Sequence, residues 1–139
     1  MKTFGLILSF LIISYTTVAQ DKTGVDITVT IENFLSNKGK ALTGLHSVKT
    51  FMKGQGIQNV QSTIKEGVVT LVFKNVAPGE YAIMAMHDEN DNKQMDFEAN
   101  GMPKESYGVS GNANSFGPPT FNDSKFTVKN ENLKIKIRF

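Results

Sequence analysis

The sequence predicts an all-β fold, a single antiparallel β-sandwich of about seven strands, on three observations. Apolar and polar residues alternate with period two through several stretches, the mark of strands with one wet face. Turn signals built from Gly, Pro and Asn separate those stretches at hairpin-like spacing. No stretch carries a helical stripe of convincing length, and the one wide gap between strand signals is a Gly/Pro-rich loop over 97–122.

The elements follow in chain order. Lys2 precedes an apolar run from Phe4 to Ile13, too short to span a bilayer comfortably, and Thr17, Val18 and Ala19 resemble a cleavage site. Residues 1–19 therefore read as a signal peptide. The domain is expected over 20–139, exported to a periplasm or the cell exterior. Val25, Ile27, Val29 and Ile31 alternate with Asp26, Thr28, Thr30 and Glu32 as a half-buried strand, and Asn37, Lys38 and Gly39 mark a turn. Residues 41–47 read as a strand and then a loop, although Leu45, Val48 and Met52 also fit a short helical stripe. After the breakers Gly54 and Gly56, residues Val60, Ser62 and Ile64 lead to Glu66-Gly67, a tight hairpin turn.

Val68 to Phe73 is nearly all apolar, as expected of a central strand covered on both faces. In Ala77-Pro78-Gly79, Pro sets the first φ of a turn and Gly takes the positive second. Tyr81 to Met86 is another two-faced central strand, whose end delivers His87 and Asp88 to a sheet edge. Tyr107, Phe116 and Phe121 argue that the long loop folds back onto the body. Phe126 and Val128 form a short strand, and 130–132 turn. Leu133, Ile135, Ile137 and Phe139 then alternate with Lys134, Lys136 and Arg138, a solvated basic face that discourages edge pairing.

Composition narrows the function classes. The chain has no cysteine, so an exported domain must hold together by packing, helped at most by a metal. Its formal net charge is +2 and the basic residues are scattered, which gives no case for nucleic acid. The domain itself carries no membrane span and is expected to be a monomer.

The densest chemistry lies in HDENDNKQMDF, straight after the second central strand. Asp88, Asn90, Asn92, Gln94 and Asp96 fall on positions 1, 3, 5, 7 and 9 of a twelve-residue calcium loop. Position 6 should be Gly and is Lys93; position 12 should be Glu and is Ala99. The other reading is turn chemistry, because Asp and Asn bond their own backbone.

The entry Val76-Ala77-Pro78-Gly79-Glu80-Tyr81 resembles that of transthyretin-like exported modules, and the strand count also resembles immunoglobulin-like sandwiches. A wider pattern runs through PGEYA, HDENDN, Asp96, GMPKESYGVS and PPTFND. It resembles domain of unknown function 2141, a family of small exported bacterial proteins. The resemblance implies a secreted or periplasmic β-sandwich and no established activity. Lys93 stands where that family's acidic loop has Gly, and Ser124 where it has Ala.

Three readings follow. In the first, a non-catalytic module binds calcium through the acidic loop, which orders the 97–122 segment. In the second, that segment contacts a protein or glycan without metal, through Tyr107 or Phe116. In the third, His87 and Glu105 centre a hydrolase, which requires a pocket joining them.

Overall fold

The computed structural model describes residues 24–112 and 117–139. The expected leader and Phe116 lie outside them. Among the described residues the fold is all-β, with eight strands in two sheets and one short helix. One sheet holds β1 (Val25–Glu32), β4 (Val69–Val76) and β8 (Leu133–Arg138), in the order β4-β1-β8. The other holds β2 (Lys40–His46), β3 (Gln58–Ser62), β5 (Gly79–Asp88), β6 (Tyr107–Val109) and β7 (Phe126–Val128). Its order is β3-β2-β5-β6, and β7 pairs with residues 79–81 of β5.

Period-two alternation builds the core. Val25, Ile27, Val29 and Ile31 face inward from β1, while Val69, Leu71, Phe73 and Val76 come from β4 and Ile137 from β8. Ala41, Leu45, Ile83, Ala85 and Val128 meet them from the other sheet. Ile27, Val29, Ile31 and Phe73 are wholly inaccessible, and each contributes roughly 1.5–3 kcal/mol by leaving water. Burial on this scale is how a chain without cysteines does without staples.

Four expectations are corrected. The sheets are not purely antiparallel, because β1 pairs with β8 in parallel from Ile27–Leu133 to Glu32–Arg138. β4 is an edge strand with Thr70 and Lys74 exposed, rather than a central strand covered on both faces. The Glu66-Gly67 turn forms with φ of 53° and 72°, and Lys65 and Val68 exchange both backbone bonds. The strands it joins do not pair, however; the turn carries the chain from one sheet to the other. Gly79 sits at φ 159°, nearly extended, rather than near the +80° of a type II turn.

The long loop folds back as expected, but it contributes β6 and the helix α1 (Phe121–Ser124), capped by Thr120. Phe121 packs on Phe51, with Ala82, Val109 and Met84 beside them, and covers part of the outer face of the five-stranded sheet. Ser110 ties this layer down. The Ile83 N–H donates to its hydroxyl at 2.9 Å, and the hydroxyl donates to the Ser124 carbonyl. The Ser124 hydroxyl is buried without a partner.

Replacing Ser110 by Ala strands a buried N–H and a buried carbonyl. Ser110→Ala is expected to destabilise the fold by about 1–3 kcal/mol in urea unfolding, with an unchanged m-value.

Candidate functional site

The acidic loop starts from a buried charge. Asp88 closes β5, pairs with Lys40 of β2 and is fully inaccessible; His87 is 1% exposed. Both sit at the end of a central strand, not at the expected sheet edge. Gly39, at φ 63°, lies against the Asp88 carbonyl, where a Cβ would overlap it.

The loop folds around the Asp88 carboxylate. One oxygen accepts from the Asn92 N–H at 3.1 Å and the other from the Lys93 N–H at 2.8 Å. To bring both donors in, Asp91 and Lys93 adopt left-handed φ of 56° and 63°. Asn90 and Asn92 each accept from a backbone N–H two residues on, at Asn92 and Gln94. Their amide groups donate to Asp96 at 2.7–3.2 Å. The sequence spacing thus does gather Asp88, Asn90, Asn92 and Asp96, while Gln94 joins only through its backbone.

Glu105 clamps the loop. Its two oxygens accept from the Glu89 N–H at 3.3 Å and the Asp96 N–H at 3.1 Å. His87 points elsewhere. Its Nε2–H donates to the Lys38 carbonyl at 2.8 Å, its Nδ1 lies 3.6 Å from Glu89, and Phe34 packs edge-on against the ring.

A second feature lies on the outer face of the five-stranded sheet. A groove of about 960 Å³ runs between the acidic loop and the 52–55 and 117–119 segments. Met1 aside, every methionine of the chain lines it: Met52, Met84, Met86, Met95 and Met102. Tyr107 and Phe97, 40% and 58% exposed, stand at its edge. Neither His87 nor Glu105 lines it, so it is not the pocket that the hydrolase reading requires.

Sequence reasoning missed this groove, although Met84 and Met86 are spaced to share a strand face. It also left His46 unassigned. This residue ends β2, is 4% exposed and borders the groove. Its Nδ1–H donates to the Thr50 carbonyl at 3.1 Å. Burial lowers its pKa below 6.5, partly opposed by that bond.

These features define a class: a two-sheet all-β domain that carries an Asp/Asn loop on its central strand and a thioether-lined groove beside it. Residues 29–136 match the family model of domain of unknown function 2141, described as an uncharacterised protein conserved in bacteria. The chain belongs to that family. No curated protein and no solved structure matches it.

His46 sets a pH dependence. Its folded pKa lies below the unfolded value of 6.5, so the unfolded chain takes up the proton first. Its contribution to stability is present above pH 6.5 and is lost as the pH falls from there through the folded pKa. Thermal midpoints measured between pH 8 and 5 should show this loss, and His46→Gln should reduce it.

Proposed function

We propose that the protein is an exported, non-catalytic binding module of the transthyretin-like or immunoglobulin-like sandwich kind, and that its groove takes an apolar segment of a partner protein. The observation that carries this reading is the gathering of five methionines in one groove. Unbranched thioethers are flexible and polarisable and adapt to varied apolar shapes. The volume suits a ligand site, and Asn59, Gln61 and Gln94 supply a few orienting polar groups. Tyr107 and Phe97 are the exposed aromatic anchors. Of the two partner classes that the long loop suggests, this lining favours protein over glycan.

The apolar dye 1-anilinonaphthalene-8-sulfonate is the probe. Its fluorescence should rise with the native protein, and Met86→Glu should weaken dye binding about tenfold or more while the circular dichroism is unchanged. A native protein that leaves the dye dark, or a variant that binds it as well, would overturn the reading.

Calcium binding by the acidic loop is a second reading, favoured by one observation. Lys93 adopts φ 63° although it is not Gly, and so makes the sharp turn that calcium loops place at position 6. Asp88 accepts there from the fifth and sixth N–H groups. Loading would require Asn90 and Asn92 to turn oxygen rather than NH₂ toward Asp96. Calcium at about ten times its Kd should then add ~1.4 kcal/mol and raise the thermal midpoint by several degrees. Asp96→Asn should shrink that rise, and no shift up to about 10 mM, beyond the range of extracellular modules, would sink the reading.

A further inference from the structure

We propose that His46, Met84 and Met86 form a binding site for Cu(I) at one end of the groove. This goes beyond the apolar-ligand reading and stands on a different observation, the state of the His46 imidazole.

A carbonyl oxygen only accepts, so the 3.1 Å contact to Thr50 places the ring proton on Nδ1. The neutral ring then carries its lone pair on Nε2. Burial favours that neutral form. Phe51 meets the ring edge-on at 6.1 Å, and no described residue bonds Nε2. An imidazole fixed through Nδ1–H to a backbone carbonyl, with Nε2 free, is the arrangement that metal-binding histidines use.

Nε2 lies over Gly44, between that residue's two sheet neighbours Asn59 and Met84. It lies 2.6 Å from where a Cβ on Gly44 would stand. Any side chain at Gly44 would collide with the ring, so glycine is what admits the imidazole there, with Asn59 Oδ1 3.2 Å from the same point. Gly44 pairs directly with Met84, and directly opposed residues hold their Cβ positions about 4.5–5.5 Å apart. The Met84 sulfur lies only two bonds beyond its Cβ, within reach of an ion held at Nε2. Met86 is the next residue on the same strand face, opposite Leu42, and lines the same groove.

The donor set decides the ion. Two neutral thioethers and one neutral imidazole are soft ligands that select Cu(I). Among the described residues no carboxylate lines the groove, and the chain has no cysteine, so calcium and magnesium lack their carboxylates there and zinc finds a single histidine of the three or four ligands it takes.

The test is an anaerobic competition in ascorbate, in which the protein withdraws copper from its bicinchoninate complex. One equivalent should be taken up. Met84→Leu and Met86→Leu keep the volume and the apolar character, so the fold should persist. Each should weaken binding about tenfold or more, as should His46→Asn. Met95→Leu and Met102→Leu, in the loop segments rather than on β5, should take up copper as the parent does. X-ray absorption of the loaded protein should show sulfur and nitrogen together around copper. Copper left with bicinchoninate by the parent protein would overturn the site. So would full affinity in the Met84→Leu, Met86→Leu double variant, or a copper shell without sulfur. The dye titration runs separately: copper taken up by a protein that ignores the dye supports this site and sinks only the apolar-ligand reading.

Discussion

A carboxylate buried at the end of a central strand is the constraint from which much of the site follows. Asp88 has no access to water, and an unpaired charge in that position costs several kcal/mol. Two backbone N–H groups meet it, but only if the chain doubles back within five residues. The doubling forces left-handed backbone at Asp91 and Lys93, where no glycine is present to make it easy. Glu105 then ties the near and far ends of the loop together through Glu89 and Asp96. Lys93, Gln94, Met95 and Phe97 are thereby set along one side of the groove. One buried carboxylate thus fixes where one side of the groove stands.

Much of the fold was legible because alternation reports which side chains face inward. β1 and β8 follow the expected pattern closely, with Val25 to Ile31 buried at every second position and Lys134, Lys136 and Arg138 in water. Alternation says nothing about neighbours, which is why the parallel pairing of β1 with β8 was not visible. The Glu66-Gly67 turn shows the same limit: its local geometry was encoded in two residues, yet the sheet on each side depends on strands far away. Residues 68–73 were ambiguous for a different reason. Val72 keeps the outer face of an edge strand half-buried, so the run imitates a covered centre.

The site divides along similar lines. The acidic loop is a local object, and the spacing of Asp88, Asn90, Asn92 and Asp96 was enough to bring them together on paper and in space. The groove draws on β2, β5, the acidic loop and the segment before α1, and no window of sequence contains it. Glu105 was readable as a charged residue of interest. Its work as a clamp on two N–H groups depends on β6 lying beside β5, a tertiary fact.

The position of β1 between β4 and β8 has a consequence for how the chain reaches its native state. The first strand of the domain pairs on one side with the last, and Asp26 is bonded to Asn132 across a separation of 106 residues. Contacts this distant in sequence close late and slow the search for the native arrangement. Until its final strand is delivered, the nascent chain has an open ladder along β1 and an incomplete core. For that interval the unfinished ladder is open to pairing with other chains.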